Sequence, residues 1–575
     1  MLSIFGRLFA RLLGAAIVLA WNLTFSSISH AQDAGAMQRE LQLQIERSSP
    51  VPRVERVKPS ESRQESQDEQ KIFINGFKFT GNTLVSDGEL EAIVRPWTAR
   101  KVAFSDLKDV TSAIQDFYAK QNRIALVTIP PQEIVGGVVL IEIHEGKMGS
   151  VIVEPAAPDL SLRISPETAR LYLTTESNGT KYIDTQPLER GLILLNELPG
   201  VYASGAFEPG ATPNESDFRV KLNDGPLFSG QAALSNYGSP STGAGQAIAN
   251  LSLNDPLGLG DQATLDAIQS LGSSYGQLGY SLPVGQNGLR VGVQGSYLTY
   301  QTLASWNSLQ TQGTASTISA NATYALVRLA GNTLNVRAAI EDRNYSNNQL
   351  GTNISQYQIS AFTLGVNGNY FHTADSIINY SLTGTVGNLN INNLTQAGQD
   401  FAGPGSAGGF QKLSFNVSRN QELEFLPNTS WLLSAYGQFA NKNLNSSEQI
   451  YMGGPYAVRA YPVAQGAGSQ GAIVSTELQH RIDQNWGIGG FIDVGWVQQY
   501  VNLYQNWQGL TNANNNYQLA ATGLTARYVY DHLLVNAALA LRVGQNPLYN
   551  SSGQQLNADN AYRTVQAWVR ASYLF

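Results

Sequence analysis

From residue 226 to residue 575, apolar and polar side chains alternate along many short segments, and this pattern restricts the possible folds more than any other feature of the chain. One such segment reads Ile378, Asn379, Tyr380, Ser381, Leu382 and Thr383. Because successive side chains of a β-strand point to opposite faces, each strand has one apolar and one polar face. The pattern predicts either a soluble β-sandwich or a barrel of strands that crosses a membrane.

Two observations favour the barrel. The chain offers no other amphipathic elements to cover so many apolar faces, and the polar faces are too hydrophilic to form a second core. We count about 16 strands with roughly 22 residues for each strand and its connection, which suits the single-chain barrels of bacterial outer membranes. Residues 226–575 are therefore predicted to form an antiparallel transmembrane β-barrel with an apolar outer face.

The C-terminal segment fits the same prediction. Val565, Val569 and Tyr573 fall on the predicted lipid face, and the chain ends at Phe575. A last strand that ends on an aromatic residue resembles the terminal signal that barrel-assembly machinery recognises in outer-membrane proteins. We therefore predict that Tyr573 and Phe575 form an assembly signal, and that outer-membrane lipid surrounds the barrel.

The N-terminal residues 1–31 have the features of a secretory signal peptide. Basic residues precede an apolar run at 12–21, and Ser29 and Ala31 supply the small residues of a cleavage site. The alternative is an N-terminal transmembrane helix, but Asn22 interrupts the run before it reaches the ~20 residues of a span. The protein is therefore predicted to enter the bacterial envelope. Its lack of cysteine excludes disulfides and thiolate metal sites.

Between the signal peptide and the barrel, the sequence divides into a leader and two similar units. Residues 32–70 are predicted to be a short helix and a flexible linker rich in Pro, Ser and charged residues. Residues 71–145 read strand, helix, helix, strand, strand, and residues 146–225 repeat that order. The barrel is predicted to occupy 226–575, because lysine becomes rare after Lys221.

Local signals define the elements of these two units. In the first unit one strand is predicted over 72–79, and Ser86 is predicted to cap a helix. A second helix is predicted over 104–121 from its apolar periodicity. In the second unit, Asp184 is predicted to cap the helix that precedes the last two strands.

The sequence carries no recognisable catalytic or cofactor site. Residues 272–276 match the GxSxG pattern of hydrolases, but they fall in a predicted turn with no helix after it. The five histidines are scattered, and there is no Walker A loop or dinucleotide fingerprint. A net charge of −7 argues against nucleic acid as the main partner. We therefore expect no catalytic residues, no metal, no cofactor and no nucleic-acid partner.

Two motifs in the barrel region resemble those of a known family. The first falls in the predicted sixth surface loop, resembles a VRGY motif, and consists of Val458, Arg459, Ala460 and Tyr461. The second matches an FxDxG pattern on a later strand and consists of Phe491, Asp493 and Gly495. With the leader helix, the two POTRA-like units and the barrel, these motifs resemble the TpsB transporters of two-partner secretion, the haemolysin secretion/activation family.

The resemblance implies a location and a mechanism. The barrel would lie in the bacterial outer membrane and the POTRA-like units in the periplasm, where their strand edges would bind an extended segment of the partner. The partner would be a TpsA-like adhesin, haemolysin or toxin that crosses the barrel unfolded. The leader helix would occupy the pore at rest.

The resemblance also assigns roles to residues of the two motifs. The sixth loop would fold back into the barrel, and its Arg459 would pair with Asp493, which strand alternation also places on the inner wall. The family usually has Gly where this chain has Ala460. If that position needs a positive φ, Ala460 is expected to cost ~1 kcal/mol or more.

Three other functions are weighed against secretion. An outer-membrane assembly or insertion factor shares the POTRA units, the loop motif and the barrel, but usually has more POTRA repeats. A solute porin or a gated receptor would not need two periplasmic α/β units. A barrel with lipase activity needs a serine and a histidine that face one another, and the sequence names no such pair.

Overall fold

The computed structural model describes residues 33–48, 71–174, 181–212, 214–303, 309–373, 375–508, 514–547, 555, 557–559 and 563–575. The predicted signal peptide and most of the predicted linker lie outside these ranges. Helix α1, Ala34–Ser48, is the leader helix. Among the described residues, no helix is long and apolar enough to cross a membrane.

The first α/β unit contains β1 Ile72–Ile74, β2 Gly76–Thr80, α2 Asp87–Val94, β3 Arg100–Val102, α3 Phe104–Lys120, β4 Ala125–Thr128 and β5 Val138–Glu145. The main sheet has the order β2-β5-β4, and it shares one apolar core with α2 and α3. A capping box starts α2, because Ser86 and Glu89 each bond the other's backbone N–H through their side chains. Tyr118 is fully buried in this core, and burial together with its hydrogen bond to Glu145 raises the pKa of its phenol.

The second α/β unit contains β6 Lys147–Pro155, α4 Pro166–Thr174, α5 Thr185–Asn196, β7 Val201–Pro209 and β8 Glu215–Asp224. Its sheet has the order β6-β8-β7, with β6 and β8 parallel and β7 antiparallel. The first unit pairs β2, β5 and β4 in the same way, so the two units repeat one arrangement. Asp184 caps α5 by accepting a hydrogen bond from the backbone N–H of Gln186.

One predicted strand was wrong. The segment predicted as a single strand over 72–79 divides at Asn75, whose backbone N–H donates to the carbonyl of Gly137. The Asn75 side chain also donates to Gly136, and both glycines have positive φ. This interruption frees β1 to pair with β3, a strand that the sequence did not predict.

Sixteen antiparallel strands then form a closed barrel, in which the last strand pairs with the first. They are β9 Phe228–Ser235, β10 Gln246–Asn254, β11 Gln262–Gln269, β12 Ser273–Val284, β13 Leu289–Gln301, β14 Gln312–Leu329, β15 Asn332–Gln349, β16 Thr352–Thr373, β17 Ser376–Ile391, β18 Gly408–Glu422, β19 Thr429–Ala440, β22 Gln470–Arg481, β23 Trp486–Gln498, β24 Asn516–Tyr530, β25 Leu533–Val543 and β26 Val565–Leu574. Helix α6, Leu394–Ala402, lies between β17 and β18. The short strands β20 Ile450–Tyr451 and β21 Ala467–Gly468 pair with each other between β19 and β22.

The predicted alternation sets which side chains face outward. On β26, Val565, Val569 and Tyr573 are exposed on the outer wall, whereas Trp568 and Arg570 are buried inside. Apolar exposed side chains continue around the barrel, as a lipid-facing surface requires. The predicted transmembrane barrel of about 16 strands is therefore confirmed.

The second α/β unit is bound to one end of this barrel. Arg190 of α5 donates to the carbonyl of Ala325 on β14, at 2.7 Å. The guanidinium of Arg328 on β14 pairs with Glu197, which follows α5, at 2.6 Å. Because β9 follows β8 directly, the turns at this end lie beside the α/β units, and the longer loops lie at the far end of the barrel.

Helix α1 lies inside the barrel. Its Ala34, Met37 and Leu41 are buried against inward-facing apolar side chains of the barrel strands, including Leu298 and Ile359. The expectation that the inner faces are too hydrophilic to form a second core was therefore wrong. The inner wall has an apolar region, and α1 packs against it.

The polarity of the wall inverts along the strands β15, β16 and β17. Directly paired outward residues are apolar in one row, which consists of Ile340, Phe362 and Val386. The next outward row toward the far end is polar and consists of Asp342, Ser360 and Asn388. In the same stretch the inner face becomes apolar, because Tyr345, Tyr357, Ile359 and Leu389 point inward and are buried. The hydrocarbon layer therefore ends at the row change, and the wall continues beyond it with a polar outside and an apolar inside.

A glycine at the start of α1 permits its close approach to the wall. A Cβ on Gly35 would lie 2.3 Å from the hydroxyl of Tyr357 and 2.6 Å from Cβ of Ser447. Overpacking of this kind costs about 1–3 kcal/mol, so Gly35→Ala should displace the first turn of α1 and raise the ion conductance of the purified protein in planar bilayers. Gly398→Ala in α6 is the matched control, because a Cβ there meets nothing within 4 Å. Equal conductance of both variants and the parent chain would contradict this role for the first turn.

Candidate functional site

The connection between β19 and β22, residues 441–469, folds back into the barrel. We call this segment the inner loop. Its Val458 and Tyr461 are fully buried, and they pack in one apolar cluster with Leu519 and Ala521 of β24. This burial holds the loop against the inner wall instead of leaving it outside the barrel.

Two residues of the barrel wall, Gly495 and Trp568, position the inner loop. A Cβ on Gly495 would lie 2.9 Å from a methyl of Val458, so glycine at this position of β23 lets the loop approach the strand. On β26, the indole N–H of Trp568 donates to the carbonyl of Arg459 at 2.7 Å. The loop is therefore held by two strands of the barrel wall, β23 and β26.

The structure brings Arg459 and Asp493 together. The guanidinium forms two parallel hydrogen bonds with the carboxylate, Nε to Oδ2 at 2.9 Å and Nη2 to Oδ1 at 2.8 Å. The backbone N–H of Arg459 also donates to Oδ2, at 3.1 Å. The side chain of Asp493 is 0 % exposed, so this bidentate pair is removed from water and its geometry is fixed.

Sequence reasoning missed three further contacts of Arg459. Its Nη1 donates to Glu477 on β22 at 2.7 Å, and its Nη2 donates to the hydroxyl of Ser475 at 3.2 Å. Its Cζ lies 3.4 Å from the ring centroid of Phe491, which gives the FxDxG phenylalanine a cation–π contact. The signal was present in the sequence, because Ser475 and Glu477 share the inward face of the strand that precedes Asp493.

Ala460 does not incur the expected backbone cost. Among the described residues, positive φ in the inner loop occurs at Gly454, Ala464 and Gly466, and Ala460 is not one of these positions. Its methyl group is buried in the apolar cluster of Val458 and Tyr461. Alanine therefore fits the position, and its side chain adds apolar contact.

A second charged cluster holds the other half of the inner loop. Glu448 is 2 % exposed, and its carboxylate lies 2.7 Å from Arg343 of β15 and 2.7 Å from Lys412 of β18. The sequence analysis did not single out any of these three residues. Two inward cations from separate strands thus pair with one loop carboxylate, and this contact ties the start of the loop to a part of the wall distinct from the strand that carries Asp493.

The inner loop also holds both ends of α1. At the N-terminal end, Asp33 accepts a hydrogen bond from Ser446, and the N–H of Ala34 donates to Asn347 of β15 at 2.8 Å. At the other end, the guanidinium of Arg47 lies 4.3 Å from the ring centroid of Tyr436 and donates to the carbonyl of Tyr456. Movement of α1 therefore requires these contacts with the loop and with the barrel wall to break.

The two residues of the predicted assembly signal lie elsewhere, at the junction of the last and first strands. Tyr573 is about half exposed on the outer wall. Phe575 exchanges two backbone hydrogen bonds with Gly230, at 2.9 and 3.0 Å. Their role in assembly stays a prediction.

Removal of the Arg459 side chain should destabilise the barrel. Arg459→Ala would leave the buried Asp493 carboxylate without its cation, a change that typically costs about 3–5 kcal/mol. We expect a lower temperature for the mobility shift of the folded barrel on SDS gels. Arg481→Ala, which removes an exposed arginine of β22, is the control and should leave that temperature unchanged. Arg459→Lys should be intermediate, because an ammonium cannot reproduce the bidentate contact. A common transition temperature for all variants would contradict the proposed importance of the pair.

Comparison with known proteins places this architecture in a family. A family model described as haemolysin secretion/activation protein ShlB/FhaC/HecB matches residues 214–566, and a ShlB-type POTRA domain model matches residues 72–146. The heme/hemopexin transporter protein HuxB of Haemophilus influenzae is 28 % identical over 444 residues, which cover 75 % of this chain and 77 % of that protein. The outer membrane transporter CdiB of Escherichia coli is 25 % identical over 484 residues, 80 % of this chain and 76 % of CdiB.

A solved structure supports the same fold. CdiB from Escherichia coli superposes with a TM-score of 0.66 at 19 % identity, over 96 % of this chain and 100 % of that one. The family model covers more than half of the chain, and the barrel and the α/β units have the family's order. This chain therefore belongs to the haemolysin secretion/activation protein family, and it is an outer-membrane transporter of two-partner secretion with periplasmic POTRA domains.

Proposed function

We propose that this transporter moves one unfolded partner protein through its barrel, and that α1 and the inner loop control the passage. The observation that carries this proposal is the content of the lumen. Both α1 and the inner loop lie in the lumen, and neither is part of the closed sheet of barrel strands. Either can therefore move without breaking the pairing of two barrel strands. A polypeptide could then take the space that α1 now fills.

The relatives' names suggest the kind of partner. HuxB is named for heme and hemopexin, and a relative from Proteus mirabilis is named a hemolysin transporter. We infer that the partner here is a TpsA-like secreted adhesin, haemolysin or toxin. Barrel-assembly machinery would insert the transporter, with Tyr573 and Phe575 as its recognition signal, and outer-membrane lipid would contact the exposed apolar wall.

The edges of the periplasmic sheets are suited to bind an extended segment of the partner. In the first unit β2 and β4 are edge strands, and in the second unit β6 and β7 are edge strands. A partner segment added to one of these edges would gain backbone hydrogen bonds, and exposed side chains beside the edge would supply selectivity. Leu126 on β4 is such a side chain, at 58 % exposed.

The Arg459 cluster would serve as the fixed point of the gate. Its pairing with Asp493 and Glu477 is buried and geometrically complete, whereas α1 is held by hydrogen bonds at its two ends and by apolar packing with Leu444 of the inner loop. We infer that α1 leaves first while the loop tip stays on the wall. Export would then depend on Arg459 through the position of the loop.

Export of the large secreted protein encoded beside this gene tests the proposed function. Its appearance in the medium or on the cell surface should require the transporter, and Arg459→Ala should reduce it strongly while Arg481→Ala retains it. Immunoblots of the outer membrane show whether each variant is inserted. Equal export with and without the transporter would contradict the proposal, and a general fall in other outer-membrane proteins would instead favour an assembly factor.

A substitution on the sheet edge tests partner recognition. Leu126→Asp places a charge beside the β4 edge and should weaken binding of the partner's N-terminal domain to the full-length transporter roughly tenfold. Phe425→Asp is the control, because Phe425 is equally apolar and 82 % exposed but lies in a turn of the barrel. Titration in detergent measures both. Equal affinities would show that the β4 edge does not bind the partner.

A further inference from the structure

The inner wall beyond the membrane carries an apolar surface that only a lumen occupant can cover. It consists of Tyr345, Tyr357, Ile359, Leu389 and Phe410, and we call it the inner patch. Each of these side chains is at most 3 % exposed. They come from the four neighbouring strands β15 to β18, so they form one continuous surface.

The pairing of the strands makes this surface continuous. Tyr345 is paired with Tyr357 and Ile359 with Leu389, and the two tyrosine rings stack with centroids 4.7 Å apart. On β18, the ring of Phe410 lies over Gly387, where a Cβ would be 2.4 Å from a ring carbon. The patch is therefore one connected, mainly apolar area rather than a set of isolated side chains.

The apolar residues of this inner face are not explained by contact with lipid. The same strand segments have a polar outer row, Asp342, Ser360 and Asn388, so this part of the wall stands in water. A water-filled passage would favour a polar inner face as well. At rest this apolar face is covered by α1, whose Ala34, Met37 and Leu41 pack in the same cluster, and by Leu444 of the inner loop.

Departure of α1 would expose to water the part of the inner patch that the helix covers, beginning at Tyr357 beside Gly35. This exposure is unfavourable unless another apolar group replaces the helix. In the proposed transport cycle the exported chain enters the lumen as α1 leaves. We propose that the inner patch is a binding surface for apolar side chains of the exported partner, which take the place of α1 as they pass the far end of the barrel. This inference rests on the proposed function, and it identifies where the wall contacts the partner.

The proposal explains why exchange can be reversible. The patch gives α1 and the passing chain comparable apolar contact, so replacing one by the other changes the exposed apolar area little. The two cations that pair with Glu448, Arg343 and Lys412, belong to the barrel wall, so they stay in place when α1 leaves. After the partner has passed, the uncovered patch favours return of α1.

Crosslinking of a halted partner tests the contact directly. The transporter has no cysteine, so Leu389→Cys and Asn388→Cys place single thiols on opposite faces of one strand. The probe is the secreted protein encoded beside this gene, with one cysteine and a stably folded domain at its C-terminus that halts it in the pore. A bismaleimide should join this probe to Leu389→Cys and not to Asn388→Cys. No product at Leu389→Cys, or equal products at both positions, would overturn the proposal.

A second measurement separates contact with the partner from the seating of α1. In a transporter that lacks residues 34–48, Leu389→Asn should slow export of the same protein roughly fivefold, whereas Asn388→Ser should not. Gel mobility before and after heating shows that each barrel is folded. An unchanged export rate in Leu389→Asn would mean that the patch serves α1 alone, which overturns the inference. Absence of export by the parent transporter would instead refute the proposed function, and the inference with it.

Discussion

The contact between Arg459 and the carboxylates of Asp493 and Glu477 is the interaction on which the interior of this protein depends. A guanidinium inside a barrel loses hydration, and here two carboxylates, a hydroxyl and an aromatic ring replace the lost water. Because this exchange is complete only with the inner loop in the lumen, the loop is drawn inside. The loop then supplies the contacts that hold both ends of α1.

The two charged clusters position different parts of the inner loop. In one cluster the loop supplies the cation, Arg459, and the wall supplies the carboxylates. In the other the loop supplies the carboxylate, Glu448, and the wall supplies the cations. Because the two clusters have opposite arrangements of charge, an exchange of the two loop halves would place like charges together. The loop therefore spans the lumen in one orientation, and α1 lies along it.

Period-2 alternation predicted the barrel, and it predicted the inward direction of Asp493 once the aliphatic side chains of that strand were assigned to the lipid face. The apolar inner patch was not predicted. In the sequence it appears only as a shift of the apolar positions from one face of the strand to the other. Leu382 and Val386 point outward, whereas Leu389 points inward. Alternation alone does not distinguish the inner face of a strand from the outer face. This shift can be interpreted only when the rows of paired residues show where the membrane ends. Likewise, the split at Asn75 depends on a bond to Gly137, far away in sequence.

The inverted wall beyond the membrane also governs how this protein can change over time. On its inner face, Tyr357 and Leu389 touch neighbours on all sides, and few replacements keep that packing. On its outer face, Ser360 and Asn388 are exposed, and one small polar residue serves there as well as another. The outer surface can therefore change at every second residue, while the residues between them preserve the passage.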